Sequence, residues 1–325
     1  MHAIRIEKTG GPEVIEYADI AQPSPNAGEL LVRVGAAGVN FIDCYYRSGL
    51  YKADLPYTLG LEGAGAIVAT GDGVSEFKTG ERVAWASAPG SYAEFAIVPA
   101  AKAVAIPASI DDRIGAAIML QGMTAAYLSL STYPIKKGDT VLVHAGAGGV
   151  GLLLTQFAKH LGARVISTVS TDEKATLAKG AGADDVILYT KADFEAETKR
   201  VTEGKGVAAV YDSVGVTTFE KSLNVLRPLG TMVLYGASSG PVPPFDLSQL
   251  AAKGSLFITR PTLFTYTAQR ADLLRYANAV FDGIKAGWLK IRTEHDYPLR
   301  EAARAHRDLE GRKTTGKLIL LPSGT

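Results

Sequence analysis

The spacing of apolar positions changes along the chain. From Met1 to about Met123 they fall in short runs of strand length. Leu30–Val34 and Ala64–Ala69 are apolar or β-branched, and Gly71–Gly73 and Lys78–Glu81 supply turn chemistry between such runs. This pattern predicts a small, irregular, β-rich unit. After Ile135 the runs alternate with segments of helical period. Strands are expected at Thr140–His144, Arg164–Val169, Asp185–Leu188, Val207–Tyr211, Thr231–Tyr235 and Ser255–Thr259. Helices are expected at Val150–Leu161, at Asp172–Ala181 with Thr171 as N-cap, at Asp193–Thr202 and at Thr218–Leu226. Six strands joined by short helices read as βαβ units, so the fold class is α/β with a doubly wound parallel sheet.

Beyond that sheet, Ala268–Ala286 has a long helical period, with Leu273, Leu274, Tyr276, Ala277 and Val280 on one stripe. Strand-like Lys290–Thr293, helical Leu299–Leu309 and strand-like Lys317–Leu321 follow. Six strands already complete the sheet, so this tail is assigned back to the first unit. The expected domains are then 1–124 with 265–325, and an inserted 125–264. The alternative places the tail against the inserted unit.

One local motif carries chemistry. Gly146-Ala147-Gly148-Gly149-Val150-Gly151 follows a predicted strand and opens a predicted helix. In that context G-x-G-x-x-G reads as a dinucleotide fingerprint. Gly146 permits the tight turn, Gly148 lets backbone approach a pyrophosphate, and Gly151 lets helix pack on strand. Amide groups at the helix start, Gly149 and Val150 among them, favour phosphate charge. A site for NAD places an acidic residue about 20 positions on, at the end of the second strand. Here that end reads Ser167-Thr168-Val169-Ser170-Thr171, and Lys174 follows within one turn. Hydroxyls plus a point cation suit a 2′-phosphate, hence NADPH. Asp172 is the competing acidic residue; its other reading is a first-turn carboxylate that stabilises its helix.

Composition narrows the field further. The 325 residues hold 34 basic and 33 acidic side chains, a net charge of +1, which excludes the basic footprint of a duplex-DNA binder. The single cysteine, Cys44, excludes an internal disulfide and a cysteine-rich zinc site. The first residues contain no apolar signal segment, and the uninterrupted apolar runs are shorter than the roughly 18–20 residues of a membrane span. A reducing, cytoplasmic setting is expected, with no membrane partner.

The stretches GGPEV, GVNFIDCYYRSGLY, LGLEGAG, GDTVLVHAGAGGVGLLLTQFAK, VYDSVG, YGASSG and GSLFITRP resemble the zinc-free quinone oxidoreductase, zeta-crystallin-like branch of the medium-chain dehydrogenase/reductase superfamily. One departure is Gly146, where that branch usually carries Ala or Ser. The resemblance implies a GroES-like catalytic domain with an inserted six-stranded Rossmann domain that binds NADPH. It implies that Lys174, Tyr189 and Arg312 surround the 2′-phosphate, and that Ser170, Thr171 and Ser213 line the adenosine side. Thr124, Tyr127 and the Gly236–Ser239 loop, with Ser238 and Ser239, would flank the nicotinamide end, as would Asn40 and Phe41. Zinc-dependent members of the superfamily carry ligands where this chain has Asn40 and Leu61, so no metal is expected.

Without a Lewis acid, a substrate that is already electrophilic is the easier hydride acceptor. Asn40 offers an amide, Tyr45 and Tyr51 offer phenol donors and flat faces, and Arg260 a charge. The reaction implied is hydride transfer from NADPH to a quinone. Reduction of an enal or enone double bond is the alternative. A different class, an NADPH-binding structural or single-stranded nucleic-acid-binding protein, is opposed by the near-zero charge. Pairing through Ser255–Thr259 at a sheet edge implies a homodimer.

Overall fold

The computed structural model describes residues 1–322; the last three positions of the expected 265–325 segment lie outside them. The chain opens with strands β1 (His2–Ile6), β2 (Glu16–Asp19) and β3 (Glu29–Val39), helix α1 (Phe41–Ser48), and strands β4 (Tyr57–Thr58), β5 (Glu62–Thr70), β6 (Arg82–Trp85), β7 (Phe95–Pro99) and β8 (Val104–Ala105). Helix α2 (Asp112–Tyr127) leads into an alternation: β9 (Thr140–Val143), α3 (Gly149–His160), β10 (Arg164–Val169), α4 (Asp172–Gly180), β11 (Asp185–Leu188), α5 (Phe194–Val201), β12 (Val207–Asp212), α6 (Phe219–Asn224), β13 (Leu226–Leu234), α7 (Ser248–Ala252), β14 (Phe257–Thr259) and α8 (Leu263–Tyr266). The tail is α9 (Arg270–Lys285), β15 (His295–Pro298), α10 (Ala302–Glu310) and β16 (Leu318–Leu321).

Two compact units result. One comprises Met1–Gln121, Thr267–Phe281 and the chain from Ile291 onward; the other comprises Gly122–Tyr266 and Asp282–Lys290. The first is built on β3, an 11-residue strand with two register shifts. Those shifts bend the strand. Its N-terminal part pairs with β7, its last residues with β16, and most of its length with β5, all antiparallel. A smaller sheet, β2-β1-β4, completes the β-rich unit. Trp85, Tyr92, Ile4, Ile6 and Leu30 fill its core.

In the second unit every neighbouring strand pair is parallel, in the order β11-β10-β9-β12-β13-β14. Numbered within the sheet, this is 3-2-1-4-5-6, the doubly wound dinucleotide order. Chain direction across the sheet reverses between β9 and β12, so the crevice for a ligand opens at their C-terminal ends. Leu142, Ile166, Val210 and Met232 from the strands pack with Phe194, Phe219 and Leu223 from or beside the helices.

Two sequence expectations need correction, and a third element needs a comment. Lys290–Thr293 is not a strand; β15 begins at His295. The Lys290 backbone is occupied by a side chain instead: its N–H donates to Gln156 Oε1 at 2.7 Å, and its carbonyl accepts from Gln156 Nε2 at 3.1 Å. The expected helix Thr218–Leu226 stops at Asn224, and Leu226 already pairs with Val207 as part of β13. Finally, Asp112–Thr132 is a continuous 21-residue helical stretch, α2 plus a π-helical turn, with mean hydropathy 1.3 over its most apolar window. By length and composition alone it could cross a membrane, although polar Gln121 and Thr124 keep its uninterrupted apolar runs short, as expected from the sequence. Burial of 72% of that window within the protein marks a core helix.

Candidate cofactor and substrate site

The glycine loop lies at the C-terminal end of β9. The Gly146 N–H donates to Thr168 O at 3.1 Å, and the Gly148 N–H to Ala145 O at 2.9 Å. Gly148 precedes α3 in an extended conformation and offers no capping side chain. The first-turn N–H groups of α3 therefore point out of the helix uncapped, while Gly148, Gly149 and Val150 are half-exposed. A Cβ at Gly151 would sit 2.4 Å from Ala145 O, and one at Gly148 3.2 Å from the same oxygen. At Gly146 a Cβ would meet Ser167 Oγ at 1.6 Å. The cradle exists because these side chains are missing, and its amide donors fit a pyrophosphate.

The next strand end is that of β10. Thr171 caps α4, its Oγ1 accepting the Lys174 N–H at 3.2 Å, as expected from the sequence. Ser170 O accepts from Thr190 Oγ1 at 2.9 Å, and the Tyr189 N–H donates to Val169 O at 3.1 Å. Ser170, Thr171, half-buried Lys174 and exposed Tyr189 thus gather at the ends of β10 and β11. Asp172, the competing acidic residue, accepts from Lys191 Nζ at 2.7 Å. No carboxylate stands between Ser167 and Thr171.

Asp212 organises the turn after β12. Its Oδ1 accepts from the N–H groups of Val214 (2.7 Å) and Gly215 (3.0 Å), and its Oδ2 from Thr218 Oγ1 (2.6 Å). Ser213 O then receives the Ser238 N–H at 3.1 Å, and Val214 O receives Ser239 N–H and Oγ at 2.8 and 2.7 Å. Gly236 belongs here because a Cβ would lie 2.5 Å from Ser213 O. Arg260, after β14, donates to Leu234 O at 3.2 Å. Thr124 and Tyr127 are buried, and the Tyr127 ring stacks on Tyr266 with centroids 4.3 Å apart.

Sequence reasoning missed a buried relay beneath this edge. His144 Nδ1 lies 2.8 Å from Thr168 Oγ1 and Nε2 2.9 Å from Ser222 Oγ, which lies 3.4 Å from Asp212 Oδ2. Burial lowers the His144 pKa against the pull of Asp212, so the ring is neutral and ties β10 to the Asp212 turn. A histidine just before a glycine loop was the only sign in the sequence.

The first unit holds the other expected residues. Asn40 precedes α1 and is buried, not open. Its Nδ2 donates to Glu62 Oε2 (2.8 Å) and Gly38 O (3.2 Å), while Oδ1 accepts from Lys317 Nζ (2.7 Å) and Gln121 Nε2 (3.2 Å). With that capacity filled, its amide is part of a buried network rather than a free hydrogen-bonding group. Burial holds the Lys317 ammonium below its ordinary pKa, and Glu62 opposes this. Phe41, Tyr45 and Tyr51 form a ring series, with Tyr45–Tyr51 centroids 5.3 Å apart. Tyr46 and Tyr57, not singled out from sequence, extend it at 5.7 and 5.6 Å. Arg312 is exposed in a left-handed turn after α10 (φ 56°).

Beneath α1 lies a second buried cluster. Asp43 accepts from the Asn40 N–H at 2.8 Å and from Tyr92 OH at 2.9 Å. Burial nevertheless pushes its carboxyl up to about 7. Arg47 pairs with Glu310 and donates to His306 Nδ1 at 3.0 Å. Burial, then Arg47, drives the His306 pKa down to about 3. Cys44 is buried with Sγ 3.5 Å from the same Nδ1, so its thiol is packed away and held well above its ordinary pKa. Among the described residues no three His, Cys, Asp or Glu side chains group as a metal site.

A β-rich unit with a GroES-like strand plan and a six-stranded 3-2-1-4-5-6 unit with an uncapped glycine loop together define a medium-chain dehydrogenase/reductase. Residues 26–108 match the family described as Alcohol dehydrogenase GroES-like domain, and residues 149–271 match Zinc-binding dehydrogenase. The chain is 46% identical to Quinone oxidoreductase of Pseudomonas aeruginosa, over 98% of this chain and 99% of that one. It is 42% identical to 2-haloacrylate reductase of Burkholderia sp, over 98% of each. The solved structure of Escherichia coli quinone oxidoreductase complexed with NADPH superposes with a TM-score of 0.97 at 43% identity, over 99% of this chain and 100% of that one. The chain belongs to the quinone oxidoreductase family of that superfamily.

Proposed function

We propose that this protein reduces quinones by hydride transfer from NADPH. The observation that carries the reading is the β10 end: hydroxyls and Lys174 stand where a carboxylate would repel a 2′-phosphate, beside a cradle that admits a pyrophosphate. Bound at the cradle, NADPH supplies a hydride from its nicotinamide. The chain does the rest. The α3 amides bind the pyrophosphate, Lys174 and Tyr189 take the 2′-phosphate, and Ser170, Thr171 and Ser213 line the adenosine side. Thr124, Tyr127 and the Gly236, Ser238 and Ser239 loop orient the nicotinamide. Tyr45 and Tyr51 offer flat faces that suit a planar acceptor, and Arg260 is the candidate cation of the nucleotide-binding unit. Orientation and proximity of two planar rings account for the catalysis.

The name of the Burkholderia relative favours one second reading, reduction of an activated carbon–carbon double bond on the same scaffold. Steady-state rates with 1,4-benzoquinone and with 2-hexenal, each with NADPH and with NADH, separate the two. The expected result is quinone turnover at least tenfold above alkenal turnover and driven by NADPH. A higher kcat/KM for the alkenal overturns the quinone assignment.

The same proposal extends to assembly and setting. Among the described residues strand β14 pairs only with β13, and Phe257 and Ile258 on it are 59% and 37% exposed. An apolar edge of this kind pairs readily with a second copy, which supports a homodimer. A single buried cysteine, which can form no disulfide within the chain, accords with a reducing cytoplasm.

A further inference from the structure

The ion pair of Lys317 with Glu62 is enclosed: their side chains are 2% and 0% exposed. Such a pair gives up much of each ion's hydration and is weak support for a fold, since apolar residues of similar volume often serve as well. What it does determine is direction. Lys317 Nζ donates to Asn40 Oδ1 at 2.7 Å, while Asn40 Nδ2 donates to Glu62 Oε2 at 2.8 Å. Flipping the amide would set NH₂ against ammonium and carbonyl against carboxylate, so only one orientation survives. Asn40 Oδ1 also accepts from Gln121 Nε2 at 3.2 Å. Gln121 is half-exposed, and its amide is thereby oriented too, NH₂ inward and Oε1 away from Asn40.

Two more features serve the same arrangement. Glu62 Oε1 accepts the Leu120 N–H at 2.7 Å, which fixes the turn of α2 that carries Gln121. Gly38 leaves room for the pair, because a Cβ there would lie 2.5 Å from Glu62 Oε2 and 2.6 Å from Lys317 Cε.

We propose that Lys317 is a positioning residue, whose ion pair with Glu62 holds Asn40 and through it Gln121, so that Gln121 offers its carbonyl oxygen on the half-exposed side as an acceptor of fixed direction. The proposal rests on the quinone-reductase reading. Reduction of a quinone to a hydroquinone takes one hydride from the reduced nicotinamide and one proton from solvent. An oriented acceptor aligns the hydroxyl or water that carries that proton.

The test uses the full chain as wild type, as Lys317→Met with Glu62→Gln, and as Gln121→Leu. The first readout is hydrogen exchange of the Gln121 side-chain NH₂ by nuclear magnetic resonance, its signal assigned by loss in Gln121→Leu. At least tenfold slower exchange is expected in the wild type than in the double variant. The second is turnover of 1,4-benzoquinone: kcat is expected to fall at least tenfold in both variants, with the KM for NADPH within twofold of wild type. Equal NH₂ exchange in a folded double variant, or wild-type kcat in Gln121→Leu, overturns the proposal. Should the double variant fail to fold, the Gln121→Leu rates decide alone. A wild type that reduces no quinone overturns the functional reading, while the exchange readout still decides whether Lys317 orients Gln121.

Discussion

Single residues show most clearly where space, not charge, sets the chemistry. Gly146 is the case in point, since the related branch usually carries Ala or Ser there. In this chain Ser167 turns its hydroxyl into that space, buried and without a hydrogen-bond partner. Gly146→Ala should therefore destabilise the protein by about 1–3 kcal/mol through overpacking. Gly146→Ala combined with Ser167→Ala should recover most of that loss in urea unfolding. No recovery would mean that the clash lies elsewhere in the loop. Gly151 differs because the atoms that a Cβ would meet are backbone. Gly151→Ala should weaken NADPH binding even in variants that restore stability, as fluorescence titration would report. The glycines were legible from their spacing alone. Ser167 was not, because a small hydroxyl in a strand gives no sign of which loop it faces.

At the scale of elements, α1 joins the aromatic series to a buried titratable cluster. Asp43 reaches back to the Asn40 N–H, and burial raises its pKa to about 7. In the unfolded chain the same carboxyl titrates near ~3.9. Between those values the folded protein holds a proton that the unfolded chain has released, so this group's contribution to stability falls as pH rises from about 4 to 7. His306 acts in the opposite sense: its folded pKa is about 3, below its ordinary 6.5, so its contribution is lost as pH falls through that range. Relative to wild type, Asp43→Asn should gain up to about 1.4 kcal/mol of stability per pH unit across the Asp43 window. Urea midpoints from pH 4.5 to 8 check this, and parallel curves for the two proteins would contradict the raised pKa. The strand pattern predicted α1 only as a tyrosine-rich stretch. Its underside depends on Tyr92, His306 and Glu310, which are remote in sequence and meet only after folding.

For the whole molecule, the exposed edge of β14 makes its own prediction. Phe257→Glu places a charge on the proposed pairing surface and should shift the protein from dimer to monomer in light scattering after size exclusion. Wild-type mass for that variant would remove β14 from the interface. The parallel sheet was readable from sequence because its strands are buried on both faces and appear as apolar runs between short helices. The tail was harder. Lys290 looks like the start of a strand, yet Gln156 takes its backbone groups, and within the sheet unit Leu226, which the helical spacing assigned to a helix, belongs to β13. The proposed nucleotide contacts could be read from the sequence because those residues fall at strand ends in chain order. The Asn40–Lys317–Glu62 network could not, because its members lie 277 and 255 residues apart along the chain.

Recognition of a 2′-phosphate at the end of β10 carries the proposed function. Its most direct test is calorimetric titration of NADPH and NADH into the wild type and Lys174→Ala. Loss of one charge-assisted contact should weaken NADPH roughly 10- to 100-fold and leave NADH within about twofold of wild type. Equal weakening of both coenzymes, or tighter binding of NADH than NADPH by the wild type, would contradict the account.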